Sequence, residues 1–339
     1  MPPRKESPTI ADVAHRAGVS IATVSRVLNG TAPVEKATAE RVHIAITELH
    51  YHPHEAARTL ARRRTDTIGL LVPEISGAFF QPLLRGVEAG AGEAGFNLLI
   101  HTTQMPLPVK VQRRPLREHN TDGLLIFTDS VDLHELDRLY SLGFPVVLLH
   151  QTPPKALNIA FVTIENQSGA RKIVEHLILA HNRRRILFLQ GPDGHDDSKW
   201  REKGYHDALK ANGLTFDRAL VAHGGFNREE TRTTLERLLA DRLDFDAVFA
   251  GDDDAAVGVL QALRQAGRRV PEEIAVVGFD DQVFASTLTP TLTTVRAPTE
   301  EVGRKAACLL ARLIRGERTE PRLVLPTEMV IRESCGCQV

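Results

Sequence analysis

The chain has 339 residues, 42% hydrophobic and 25% charged, with a formal net charge of −1, which implies two or three soluble domains rather than one core. No apolar run approaches the roughly 18 residues of a membrane span, and no charged start followed by an apolar stretch marks an export signal, so the expected location is the cytoplasm, with no membrane partner. Residues 1–64 hold ten Lys or Arg against six Asp or Glu, and this basic head on a mildly acidic remainder suits a polyanion that meets the head alone.

The head opens with "SPTIADVAHRAGVS", in which Thr9 can cap a helix, with Asp12 three residues on and Ile10, Val13, Ala14 and Ala17 on one face. Gly18 closes that helix, and Ser20 can cap a second one running to about Leu28. Two short helices around a tight glycine turn make a helix-turn-helix, whose second helix enters the DNA major groove by its N-terminal end. In that helix Val24 with Val27 or Leu28 can face inward, leaving Ile21, Ala22, Ser25 and Arg26 outward or across. Arg26 carries the guanidinium fork that matches guanine O6 and N7, while Ile21 and Ala22 offer apolar contact, as to a thymine methyl. Ser20, Thr23, Ser25 and Asn29 suit phosphate oxygens, which fix register without reading sequence. The competing reading is a plain helical hairpin with surface hydroxyls. A third helix is predicted from about Lys36 to His50, with Val42, Ile46 and Leu49 on one face. Pro53 interrupts it and permits a new helix over residues 54–62. So short a helix is marginal in water, and would fold when docked on DNA and a partner copy.

From Thr67 the pattern changes. "TIGLLVP", "FNLLIHT", "DGLLIF", "FPVVLLH", "RRILFLQGP", "DAVFAGD" and "IAVVGFDD" read as apolar strands separated by amphipathic helical segments, the pattern of parallel sheets covered on both faces. Ligands in such sheets bind past the carboxyl ends of strands. No phosphate-cradling G-x-G-x-x-G or G-x-x-x-x-G-K-[ST] follows the first strand, and no G-x-S-x-G or H-E-x-x-H is present, so no cofactor and no enzyme activity is implied. The glycine of "VVGFDD" reads as a plain turn. "VKVQRRPLREHNTDG" should hold a helix, but Pro106, Pro108 and Pro115 interrupt it. Cys308, Cys335 and Cys337 are an odd count, and the C-x-C of the tail, without a second ligand pair nearby in sequence, is read as no metal site.

Residues 8–72 resemble the head and hinge of the LacI/GalR family of bacterial transcription regulators, through "TIADVAHRAGVSIATVSRVLNG", "ERV", "LHYHPHEAARTLA" and "TIGLLVP" in order. The remainder resembles that family's effector domain, itself similar to periplasmic sugar-binding proteins, with a ligand between two lobes. The implied architecture is an all-α helix-turn-helix head with a hinge helix, joined to an α/β effector domain of two doubly wound parallel-sheet lobes. The boundaries are then a DNA-binding domain at 1–53, a hinge and linker at 54–66, a ligand-binding and dimerisation domain at 67–334, and a tail at 335–339. The amino-terminal lobe takes about 67–162 and 291–322, and the carboxy-terminal lobe about 163–290 and 323–334. Segments crossing between lobes are placed near 159–164, 286–293 and 319–325.

The resemblance also implies roles. Ile21, Ala22 and Arg26 would read an operator half-site, Leu60 would wedge into the minor groove at its centre, and Ala57 would let two hinge helices approach. Phe79, Phe80, His150, Arg201, Phe226 and Asp253 would meet the effector, with Trp200 as a further aromatic wall. His150 stands where Asp is common, His54 where Asn is usual, and Glu35 where a Ser commonly touches phosphate; Glu35 is expected instead in the first turn of the third helix, favouring its dipole. The function implied is a repressor of double-stranded operator DNA, controlled by a small-molecule effector, a sugar or glycoside. A nucleobase or a protein co-regulator is the alternative effector, and an enzyme or a solute-binding protein the alternative class. One short helix-turn-helix reads too little DNA for a unique site, which calls for a homodimer. The ending "CGCQV", without a heptad-bearing extension, favours a dimer over a tetramer.

Overall fold

The computed structural model describes residues 8–29, 32–51, 64–103, 116 and 118–338. It divides into two compact units, Met1–Thr65 and Asp66–Val339. The hinge expected at 54–66, with Ala57, Leu60 and His54, lies outside the described residues except for its last three, and so do the three prolines at 106, 108 and 115.

In the first unit, α1 (Ile10–Ala17) is held by the expected cap. Thr9 Oγ1 accepts from the Asp12 amide at 3.3 Å, and Asp12 Oδ2 accepts from the Thr9 amide at 2.7 Å, so two otherwise unmatched amides are satisfied reciprocally. Gly18 ends the helix at φ 66°, a left-handed conformation that costs glycine nothing because it has no Cβ. Ser20 then starts α2 (Ile21–Asn29), its Oγ accepting from the Thr23 amide at 3.1 Å. α3 (Lys36–Glu48) ends two residues before the expected His50, with Leu49 as its C-cap. Glu35 is not in the first turn of α3 but precedes it as the cap residue, and its side chain makes no capping hydrogen bond. Val13, Ala17, Val24, Val42, Ala45 and Tyr51 form the buried core, against which Ile46 and Leu49 pack partly buried.

The second unit contains two parallel sheets. The first has the order β11 (Arg322–Leu325), β5 (Ala160–Ile164), β4 (Val146–Leu149), β3 (Gly123–Phe127), β1 (Thr67–Val72) and β2 (Asn97–Thr102). The second runs β7 (Val221–His223), β6 (Ile186–Gln190), β8 (Ala247–Ala250) and β9 (Ala275–Val277). β10 (Thr294–Arg296) and β12 (Glu328–Val330) pair antiparallel as a separate ribbon. The intervening helices are α4 (Phe80–Glu93), α5 (Leu133–Ser141), α6 (Asn166–His181), α7 (Asp196–Ala211), α8 (Arg228–Ala240), α9 (Asp253–Gln265) and α10 (Thr299–Ile314). β1, β3, β4, β6 and β8 are apolar and almost wholly buried, as strands covered on both faces must be. One continuous apolar cluster runs from Ile68 and Leu70 of β1 through Ile173 and Val174 of α6 to Phe249 of β8 and Phe279, joining the two lobes.

All seven predicted strands form, but two segments placed between lobes do not lie there. Residues 160–164 are β5 within the first sheet, paired with β4 and β11. Residues 322–325 are also one strand of that sheet, so the chain leaves it only at 326–327. Backbone pairing overrides the sequence pattern here, because an edge strand such as β11, whose residues are mostly not buried, has no continuous apolar run to announce it. Among the described residues no helix is long and apolar enough to cross a membrane.

The cap of α1 is the feature on which the small head most visibly relies. Thr9→Ala is expected to lower the stability of the head by about 1 kcal/mol, read as an earlier loss of helix signal on heating. An unchanged melting profile would show that the cap is replaced by water without cost.

Candidate functional site

A cavity of about 600 Å³ opens in the second unit where the carboxyl ends of the strands of both sheets meet. Its walls are the loops after β1 (Pro73 to Phe80), β3 (Phe127 to Asp129), β6 (Pro192, His195, Asp197), β7 (Gly225 to Arg228), β8 (Asp252, Asp254) and β9 (Asp280, Gln282, Phe284). Both sheets thus contribute, as expected of a ligand site at the carboxyl ends of parallel strands.

Arg201, from the second turn of α7, is 2% exposed and lies at the base of this cavity. Its Nε donates to Asn166 Oδ1 at 2.9 Å, one terminal nitrogen to the Gly251 carbonyl at 2.6 Å, and the other to Asp280 Oδ1 at 3.0 Å. The guanidinium carbon sits 3.8 Å from the centre of the Phe279 ring and 5.3 Å from that of Phe226, a cation held over aromatic faces in a dry site. Asp197 completes the group: its Oδ1 accepts from Asn166 Nδ2 at 2.7 Å and its Oδ2 lies 2.8 Å from His150 Nδ1. Burial works against ionising Asp197, but the neighbouring His150 ring, hydrogen-bonded to it, and the Arg201 guanidinium outweigh that cost and hold the carboxyl well below the usual range.

The apolar wall comes from Phe79, Phe80 and Phe127, packed edge to face with centroids 5.4, 5.8 and 5.3 Å apart. Phe226 adds a face from the second lobe, with its ring against His195 at 5.3 Å. Asp129, Phe226 and Asp280 hold left-handed backbone at φ 60°, 53° and 104°. Each conformation costs a non-glycine residue on the order of 1–3 kcal/mol, and such strain persists where surrounding structure holds it, commonly at ligand clamps. His195 Nδ1 and Arg228 Nε are buried with no hydrogen-bond partner among the described residues.

Of the residues expected to meet an effector, Phe79, Phe80, Arg201 and Phe226 line the cavity. Two do not. Asp253 is fully buried beside it: its Oδ1 accepts from Thr294 Oγ1 at 2.6 Å and its Oδ2 from the Gln282 amide at 2.7 Å, so it fastens β10 to the second lobe. Successive helical residues point about 100° apart, and its neighbours Asp252 and Asp254 take the cavity wall instead. His150 is also fully buried, its ring 5.3 Å from Phe79 and 5.5 Å from Phe127, where it positions Asp197 rather than reaching the cavity. Trp200 lines a separate groove with Thr163 and Arg171.

Sequence reasoning missed Asp129, Asp252, Asp280, His195, Phe127 and Phe284. The signal was available for most of them: "FTD", "GDDD" and "GFDD" are the polar tails of β3, β8 and β9, where ligand groups collect. The glycine of "VVGFDD" is more than a turn, because a Cβ on Gly278 would collide with the Asp253 carboxylate.

On the head, Val24 is fully buried while Ile21 is 51% exposed, and Ala22 and Arg26 are exposed beside it. Ser20 and Thr23 are engaged with each other, their hydroxyls 2.9 Å apart, and Ser25 is half-buried. The side chain of Asn29, like Ala57 and Leu60, lies outside the described residues.

Residues 9–54 match the bacterial regulatory proteins of the lacI family, and residues 174–335 a periplasmic binding protein-like domain. The chain is 39% identical to the HTH-type transcriptional regulator CelR of Thermobifida fusca, over 98% of this chain and 99% of that one. It resembles the solved transcriptional regulator CelR-cellobiose complex at 35% identity and TM-score 0.71, covering 96% of this chain and 99% of that one. The lac repressor dimer bound to operator and the anti-inducer ONPF shares the fold, with TM-score 0.82 at 24% identity over 97% and 99% of the two chains.

The buried carboxylates make the second unit sensitive to pH. Burial, reinforced by the neighbouring Asp280, pushes Asp252 up to about 8, against the capping hydrogen bond it accepts from the Ala255 amide. Between the ordinary carboxylate range and about 8 the folded group stays protonated while the unfolded one is ionised, so stability falls as pH rises through that window. Asp252→Asn keeps an oxygen for the Ala255 amide and cannot ionise. Its unfolding free energy, followed with denaturant at graded pH, is expected to fall less steeply across the window than that of the parent. Equal slopes would mean that Asp252 is ionised in the fold.

Proposed function

The chain belongs to the lacI family of bacterial regulatory proteins, and on that premise we propose that it is a dimeric repressor whose operator affinity is set by a carbohydrate bound in the cleft. Membership makes it a DNA-binding regulator rather than an enzyme. The observation that carries the effector class is the composition of the cavity. Phe79, Phe127 and Phe226 offer aromatic faces, while Asp129, Asp254, Asp280 and Arg201 offer acceptors and donors around them. A sugar ring needs both: apolar C–H faces to lie on aromatic rings and hydroxyls to meet a few fixed polar groups. The cellobiose complex of a relative supports the same class.

The DNA surface proposed is the exposed Ile21 and Ala22 at the start of α2 with Arg26 further along it, and Ser20, Thr23, Ser25 and Asn29 toward phosphates. Residues 54–66 act in this reading as the hinge, with Ala57 at the approach of two copies and Leu60 at the operator centre. A ligand that favours one arrangement of the two lobes shifts the regulator only by its differential affinity for the two states. The lac repressor dimer on operator supports a two-fold assembly, with half-sites matching the two heads.

Calorimetric titration against a panel of mono- and oligosaccharides and purines tests the effector class. Saccharide binding is expected, and binding of purines alone would sink the reading. Phe79→Ala is expected to weaken saccharide binding about tenfold, within the 1–3 kcal/mol usual for truncating an aromatic binding contact, while operator affinity without effector stays at the parental value. For the head, Arg26→Ala should cost about 1–3 kcal/mol on the operator and much less on random DNA. Equal losses on both, in a binding assay at one salt concentration, would assign Arg26 to phosphate.

A further inference from the structure

Away from the cleft, four side chains from two distant parts of the sequence converge on one point. His176 and His181 lie in the last two turns of α6, and Cys335 and Cys337 in the tail. His176 Nε2 is 3.5 Å from Cys335 Sγ and 3.6 Å from Cys337 Sγ. His181 Nε2 is 3.2 Å from His176 Nε2 and 3.4 Å from Cys337 Sγ, and all four atoms lie within 4.8 Å of one another. Both cysteines are free thiols.

These spacings are the edges of a metal tetrahedron. Zinc bonds of about 2.3 Å to sulfur and about 2.05 Å to nitrogen place neighbouring ligands about 3.3 Å apart for two nitrogens and about 3.6 Å apart for nitrogen and sulfur. The one nitrogen pair is at 3.2 Å and three of the four mixed pairs are at 3.4 to 3.6 Å, while the fourth mixed pair and the sulfur pair lie within 4.8 Å. The local backbone serves the same end. Gly336, between the cysteines, has φ 110°, and a Cβ there would stand 3.2 Å from His181 Nδ1. Thr293 Oγ1 donates to Cys335 Sγ at 3.2 Å, the kind of outer hydrogen bond that orients a metal-bound thiolate. The earlier reading of the C-x-C as no metal site rested on its lack of a second ligand pair, and folding supplies one.

We propose that His176, His181, Cys335 and Cys337 form a Cys2His2 site for zinc, which fastens the tail to α6. Four protein ligands leave no open position, so the role is structural. The first residue of the same helix, Asn166, holds Arg201 and Asp197 in the cleft. The site therefore anchors one end of an element whose other end shapes the ligand pocket.

The full chain, purified with reduced thiols, is incubated with zinc, desalted and assayed by mass spectrometry for metal, beside C335S/C337S. Metal-free protein is separately titrated with Co²⁺. About one zinc per chain is expected in the parent and almost none in the double variant. Co²⁺ should give thiolate charge-transfer and intense tetrahedral d–d bands that added zinc abolishes, and a chelator should lower the thermal midpoint of the parent. A parent that retains less than a tenth of an equivalent, or shows only the weak spectrum of octahedral Co²⁺, overturns the proposal. So does zinc retained equally by C335S/C337S. The cobalt spectrum is read on the parent, so it decides the matter even if the double variant fails to fold.

Discussion

The guanidinium of Arg201 is a permanent charge in a site almost closed to water, and a charge so placed costs several kcal/mol unless every direction around it is filled. Its three named acceptors come from separate elements: Asn166 opens α6, Gly251 follows β8 and Asp280 follows β9. Satisfying one side chain thus fixes the relative positions of two strand ends and a helix start. The planar fork of arginine suits this better than a lysine ammonium, because its donors point in set directions and its face can lie on Phe279.

Around that charge the cleft gathers more carboxylates than it can neutralise. Asp197 is held ionised by His150 and Arg201, whereas burial drives Asp252 and Asp253 toward the protonated form. A protonated carboxyl can donate as well as accept, which widens the set of hydroxyl orientations the cavity can meet. Asp253, which does not line the cavity, acts as a fastener. Through Thr294 it ties the second lobe to β10, and Arg296 at the end of β10 pairs both with Glu328 across the ribbon and with Asp281 of the loop after β9. The polar groups beside the cavity are therefore also the groups that join its parts.

The head works at the opposite scale. Its core is mostly Val and Ala around Tyr51, so little apolar area is removed from water, and helix ends matter in proportion. The Thr9 and Ser20 caps and the Gly18 turn set the angle between α1 and α2. Burying Val24 on one face of α2 turns Ile21, Ala22 and Arg26 outward together.

The helix-turn-helix and seven strands were legible in the chain because caps, glycine turns and apolar runs are local properties that do not depend on the rest of the molecule. β5, β7, β10, β11 and β12 were not: β7 and β11 are edge strands and β10 and β12 have three residues each, so their partners define them rather than their own pattern, and β5 lies inside the first sheet rather than between the lobes. Of the cleft, the sequence pointed to Phe79, Phe80, Arg201 and Phe226 through the family resemblance, and all four line the cavity. Only the tertiary structure decided that Asp280, 79 residues away, is the partner of Arg201, that Asp253 turns from the cavity to Thr294, and that His150 lies behind the aromatic wall. The same holds for His176 and Cys335, which meet across 159 residues. A side chain's direction within an element follows from local geometry, but its partner depends on where the fold places the other elements, and no local pattern encodes that distance.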